Sequence, residues 1–145
     1  LRLTQYTDFS IRVLIYLGLH PDRRCTIQEI AESYGISRNH LMKVVQQLAS
    51  AGFIVSARGS GGGLMLPRAP DQINLADVVA EMEPDFAMVE CFRENNRCVI
   101  TPACRLPPML ARATRAYLGV LREYTLADLF GKRDTEEMKL LVKSA

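Results

Sequence analysis

The chain has 145 residues, 48% of them apolar, and a formal net charge of +2, which suits one domain or one domain with an appendage. No run reaches the roughly 18–20 apolar residues of a bilayer-crossing helix. The early apolar stretch, residues 11–19, is broken by Arg12 and lacks a basic leader and a cleavage site, so no membrane span and no signal peptide are expected. The expected location is cytoplasmic. Thiols stay reduced there, so four cysteines point to metal or redox chemistry sooner than to disulfides. The charge is uneven. Residues 1–68 hold eight Lys/Arg against four Asp/Glu, residues 69–104 two against seven, and residues 105–145 eight against five. A basic first half suits an anionic partner, although an ordinary solvated surface gives a similar count.

Residues 3–18, "LTQYTDFSIRVLIYLG", carry Leu3, Tyr6, Val13, Leu14 and Leu17 at helical spacing, with Gly18 as a helix end. After the loop "HPDRR", Thr26 with Glu29 three residues on forms a capping-box pattern for a short helix lined by Ile27, Ile30 and Ala31. Tyr34-Gly35-Ile36 is a turn, because glycine accepts positive φ without steric cost. Ser37 caps a further helix running to about Ala51, whose inner stripe is Leu41, Val44, Val45 and Leu48. Two helices around a glycine turn are a helix-turn-helix signal. On the second helix Asn39, Lys43, Gln46 and Ser50 oppose the apolar stripe, flanked by Arg38 and His40. Asn and Gln can bond adenine edges, and Lys and Arg reach guanine or phosphate, but many surface helices show such a face.

"FIVSARGSGGGLMLPR" then reads as strand, glycine turn and strand, with Phe53, Ile54 and Val55 opening the first strand and Leu64, Met65 and Leu66 returning. A helix-turn-helix followed directly by a hairpin is a winged helix. The glycines do not make a P-loop, since no Lys-Ser/Thr follows them. Asn74 caps a short helix with Val78, Val79 and Met82 inward, stopped by Pro84. Beyond the cysteines, Leu106, Leu110, Ala113, Tyr117, Val120 and Tyr124 form a heptad seam about 28 Å long. A second copy of the same helix is the economical partner for it, which predicts a homodimer. Thr125 with Asp128 opens a final turn, and the polar tail 132–145 is expected to be loose.

The segment "CFRENNRCVITPAC" sets Cys91, Cys98 and Cys104 at C-x6-C-x5-C, with no histidine among them. That is open for zinc, which favours four ligands in C-x2-4-C pairs. An iron–sulfur cluster spans several ångströms and tolerates wider spacing. On a four-iron cubane, three thiolates leave one corner for a weaker ligand. Thr101 and Pro102 read as N-cap and first helical position, which places Cys104 in a first helical turn. Reduced cysteines packed as small hydrophobes, a zinc-stabilised winged helix and a thiol-disulfide enzyme are the alternatives. The last is disfavoured by the absence of C-x-x-C and of a triad partner for either histidine. Cys25, alone in the first loop, reads as structural.

The stretches "LTQYTDFSIRVL", "GISRNHLMKVVQQLASAGFI", "RGSGGGLML", "ECF…C…ITPAC" and "YTLADLF" resemble the NsrR family, nitric-oxide-sensing iron–sulfur winged-helix repressors, over residues 1–131. The resemblance implies a homodimer with one cluster per subunit, 4Fe–4S favoured and 2Fe–2S possible, held by Cys91, Cys98 and Cys104 with Asp8 from the partner. IscR-like regulators place a histidine where this chain has Pro107, which cannot ligate. RirA-like iron regulators share "FAMxECF" with residues 86–92 but lack "SRNH" and typically carry Asn at the place of Asp8, so iron sensing is the runner-up. Pro107-Pro108 interrupts a helix that is continuous in the family, and predicts a kink or a restart there.

The expected fold is mainly α with a small β-hairpin: a winged helix-turn-helix over 1–70, a connecting helix and cysteine loop over 71–104, a dimerisation helix and closing turn over 105–131, and the tail. The expected protein is no enzyme but a repressor on a palindromic double-stranded operator. Ser37, Arg38, Asn39, His40, Lys43 and Gln46 would enter the major groove, Arg58 and Ser60 the minor groove, and Arg12 and Gln28 would meet phosphate.

Overall fold

A computed structural model describes residues 2–143. Helix α1 spans Gln5–Leu19, α2 Ile27–Tyr34 and α3 Arg38–Ser50. Strands β1 (Val55–Ala57) and β2 (Gly63–Met65) follow, then α4 (Leu75–Met82), α5 (Leu106–Arg122) and α6 (Lys132–Lys143). The mainly helical fold with one hairpin is the expected one.

Thr4 caps α1 by accepting from the Thr7 amide, so the helix starts later than its apolar spacing suggests. Gly18 does not end it. The residue lies inside α1, and a Cβ there would come within 2.6 Å of the Phe130 ring, so Gly18 serves the close approach of the chain's closing turn. Thr26 and Glu29 form the full capping box of α2, and Gly35 ends it at φ 63°, in the left-handed region that glycine enters freely. Ser37 occupies the N-cap position of α3 without making a capping bond.

The hairpin is shorter than expected. Phe53 and Ile54 are buried ahead of β1, and pairing runs Val55 to Met65, Ser56 to Leu64 and Ala57 to Gly63. Cys25 joins from the other side: its amide donates to the Leu64 carbonyl at 2.9 Å, and the Leu64 amide donates back at 2.7 Å. Burial pushes the Cys25 thiol up to about 11, so it stays protonated and acts as a small core side chain, as the sequence suggested.

One core joins Val13, Leu14 and Leu17 of α1 with Ile30, Leu41, Val44 and Leu48, and it extends to Ile73, Val78, Met82 and Leu126. The capped helix α4 and the closing turn therefore complete the interior of the winged helix. The Leu126 amide donates to the Ile73 carbonyl at 2.8 Å, and the Asn74 side chain donates to the Arg122 carbonyl at 2.8 Å, tying the end of α5 back to the start of α4.

Two expectations on the C-terminal side are corrected. Residues Thr101–Ala103 form a 3-10 turn, and Cys104 follows it in extended conformation, outside any α-helical first turn. Over Lys132–Lys143 the tail is helical rather than loose, and residues 144–145 lie outside the described residues. Thr135, Met138 and Val142 repeat at three- and four-residue spacing on the partly buried side of α6, and Val142 packs against the core. The prolines act as a restart. Helix α5 begins at Leu106 with Pro107 and Pro108 in its first turn, where the amides that proline lacks have no intrahelical partner anyway.

Candidate functional site

Burying Leu41, Val44, Val45 and Leu48 dictates which side of α3 faces outward. Arg38, Asn39, His40, Lys43, Gln46 and Ser50 are all exposed, with Ser37 exposed just ahead of them. The helix is anchored from behind, where the Tyr6 hydroxyl of α1 donates to the Lys43 carbonyl at 2.9 Å and the Gln47 side chain donates to the Glu81 carbonyl at 3.2 Å. Arg58 and Ser60 are exposed at the tip of the hairpin. Gly59 and Gly61 make that tip with φ of 91° and 77°, and a Cβ on Gly62 would collide with the Ala57 and Gly59 carbonyls. A cationic, amide-bearing helix beside a basic wing is suited to phosphate contact and base-edge reading together.

The two residues expected at phosphate are engaged within the chain. Arg12 pairs with Asp8 one turn earlier, Nη2 to Oδ2 at 2.8 Å, and its guanidinium lies 5.8 Å from the centroid of Phe9 and 6.0 Å from that of Tyr34. The Gln28 amide donates to Glu32 at 2.6 Å. Asp8, the carboxylate expected to ligate across a dimer, is thus half-exposed and held by a neighbouring cation.

Cys91, Cys98 and Cys104 are free and partly exposed. Their loop is organised by its polar side chains. The Asn96 carbonyl oxygen accepts from the Cys98 amide at 2.9 Å, its amide donates to the Thr101 hydroxyl at 3.0 Å, and that hydroxyl donates to the Cys98 carbonyl at 2.7 Å. Glu90 accepts from the Arg97 amide at 2.9 Å. Cys91 sits in the 3-10 turn Glu90–Phe92. Among the described residues no three His, Cys, Asp or Glu side chains converge closely enough to hold a metal ion. The donor set suits iron–sulfur iron, being three free thiols on one loop with no disulfide among them.

Glu83, at the root of this loop, escaped the sequence reading. Its carboxylate accepts from the Thr4 amide at 3.2 Å, from the Thr4 hydroxyl at 3.3 Å and from the Thr7 hydroxyl, and so caps α1 from the end of α4. Contacts across more than seventy residues leave no local signature. Tyr117 of α5 is nearby, its phenol pushed up by burial and, secondarily, by the Glu83 charge. The seam of α5 divides. Leu110 and Tyr117 are partly covered, whereas Leu106, Ala113, Val120 and Tyr124 are exposed, and Met109, outside the predicted seam, is exposed beside them.

The chain matches the Rrf2 family, described as an iron-dependent transcriptional regulator, over residues 3–132. It is 49% identical over 143 residues to the HTH-type transcriptional regulator NsrR of Bacillus subtilis strain 168, covering 97% of each chain. It is 43% identical to NsrR of Halalkalibacterium halodurans, over 99% of this chain and 98% of that protein. Among solved structures, IscR of T. potens superposes with a TM-score of 0.69 at 24% identity, covering 95% of this chain and 90% of that one. CymR of B. subtilis gives 0.65 at 22% identity, over 89% and 95%. At that identity the structures speak for the fold alone. Among the described residues no helix is long and apolar enough to cross a membrane. A family match along most of the sequence, relatives near half identical over almost their whole length and a winged helix with a basic outer face place the chain in the Rrf2 family, as a DNA-binding transcriptional regulator and not an enzyme.

Proposed function

We propose that the chain is a homodimeric repressor that holds its operator while Cys91, Cys98 and Cys104 bind an iron–sulfur cluster, with Asp8 of the second copy as a fourth ligand, and that releases it when nitric oxide attacks that cluster. When bound, the cluster supplies iron that reacts with nitric oxide. The chain's own residues do the rest. Arg38, Asn39, His40, Lys43 and Gln46, with Ser37 ahead of them, meet base edges. Arg58 and Ser60 follow the neighbouring minor groove. Arg12 and Gln28 reach phosphate once released from Asp8 and Glu32. The exposed apolar row Leu106, Met109, Val120 and Tyr124 supports a seam between two copies. A two-fold dimer sets palindromic half-sites about one DNA turn apart, or a multiple of it.

The observation that carries this reading is the placement of the cysteine loop. Three free thiols occupy a loop whose root, Glu83, is hydrogen-bonded to the first turn of α1, and α1 in turn holds α3 through Tyr6. Closing or opening the loop therefore pulls on the helix that anchors the reading head. The description of the family as iron-dependent favours iron supply as a second reading of the signal.

An anaerobic gel-shift on genomic fragments, with absorption spectra before and after nitric oxide, tests both. Brown protein that binds one fragment and lets go on nitric oxide supports the first reading. Release by an iron chelator with indifference to nitric oxide supports the second. Colourless zinc-loaded protein, or a triple Cys→Ser variant that binds and releases like the parent, overturns the cluster.

A further inference from the structure

Resting on α3 being the DNA-reading helix, we propose that Met42 reads the methyl group of a thymine in the major groove. Met42 is 44% exposed on α3, one turn after Arg38 and Asn39 and one turn before Gln46. It lines an open hollow on the outer surface together with Asn39, Lys43 and Gln46, where Ile27 of α2 and Val45 give it apolar neighbours. The rest of the exposed row, from Arg38 through Asn39 and Lys43 to Gln46, is polar or cationic. An unbranched methionine reaches nearly as far as glutamine or lysine, so it cannot stay hydrated when those neighbours meet DNA.

The major groove offers a side chain of this kind one matching surface. Base edges there are mainly hydrogen-bond donors and acceptors, and the C5 methyl of thymine is the one apolar group that projects from them, cytosine carrying only a C5–H at that place. Against guanine, adenine or cytosine edges, Met42 would strip water from polar atoms and return no hydrogen bond. Against thymine, two apolar groups leave water together. Asn39 stands three residues earlier, about 4.5 Å along the helix axis, against a rise of about 3.4 Å per base pair. The thymine is therefore expected close to the base that Asn39 reads.

The test uses the anaerobically purified full chain and the duplex it selects from randomised DNA. Each thymine is replaced in turn by deoxyuridine, which removes the methyl and nothing else. In each half-site one such replacement is expected to weaken the parent's binding about four-fold, the worth of one buried methyl. In Met42→Ala the same replacement should change nothing, while Met42→Leu should retain most of the discrimination. Thermal unfolding of both variants should match the parent, since the side chain lies outside the core. If Met42→Ala stays as sensitive as the parent at every thymine, the inference is overturned while α3 remains a reader. If no sequence is enriched, or Asn39→Ala leaves sequence preference intact, the assignment of α3 fails first and takes Met42 with it.

Discussion

From α1 to α4 every helix sinks a row of side chains into one shared interior, with Leu14, Ile30, Leu41 and Val78 at 0% exposure. From residue 83 to residue 125 no side chain is fully buried, although the stretch contains the longest helix of the chain. The reading head thus carries its own stability, because apolar burial holds it without any further partner. The cysteine loop and α5 are held by scattered hydrogen bonds and half-covered contacts. Such regions open at little cost and respond to whatever binds them. On the proposed function, such a division keeps the DNA-facing geometry rigid and leaves the cysteine loop adjustable.

The contrast is broken most strongly from the core side. Leu14→Ala should cost about 2–5 kcal/mol in urea unfolding, whereas Leu110→Ala on α5 should cost under about 1 kcal/mol in the unpaired chain. Equal losses would mean that α5 belongs to the same cooperative interior. Gly18→Val, which drives a side chain into the Phe130 ring, should cost about 1–3 kcal/mol. Calorimetry would show it as a lowered Tm. Glu83→Gln keeps the shape but weakens the cap on α1, a loss of about 1 kcal/mol. Its distinctive effect should be on coupling: DNA affinity of the cluster-loaded and cluster-free forms should draw together.

Acid sharpens the comparison on the head. Burial raises the Glu29 carboxyl, but bonds from the Thr26 backbone and from Arg23, 2.6 Å away, outweigh it and hold the group below its ordinary 4.5. A depressed carboxyl contributes stability above its unfolded pKa, and that contribution fades as pH falls below 4.5 and through the lower folded value. Glu29→Gln should therefore lower stability at neutral pH, where the contribution is complete, converge on the parent in acid, and so flatten the acid limb of a stability-versus-pH curve. The smallest structural effect is expected where function is most exposed. The triple Cys91/Cys98/Cys104→Ser variant should unfold within about 0.5 kcal/mol of the cluster-free parent, yet hold no iron by elemental assay.

Much of the reading head was legible because its signals are local. Thr26 and Glu29, Gly35, Asn74 and the stripe from Leu41 to Leu48 each act within one or two helical turns, and the structure bears them out. The heptad of α5 was legible as a seam, but which half its own chain covers was not, since that depends on where α4 lies. Gly18 and Cys104 were misplaced for related reasons. The glycine answers to Phe130, more than a hundred residues away, and the loop prefers a 3-10 turn closed by Thr101 to a helical start. Helix α6 was missed because a short polar segment gains its helicity from docking on the core.

Sequence alone determined the helix-turn-helix, the glycine-tipped wing, the outward face of α3 and the presence of three thiols on one loop, because hydrophobic period, caps and turn residues act between near neighbours. Tertiary structure alone decided that Glu83 caps α1, that Phe130 closes on Gly18 and that Cys25 pairs with Leu64. Each of these follows from how folded elements approach one another, and burial and long-range hydrogen bonding settle that only once the whole core has closed.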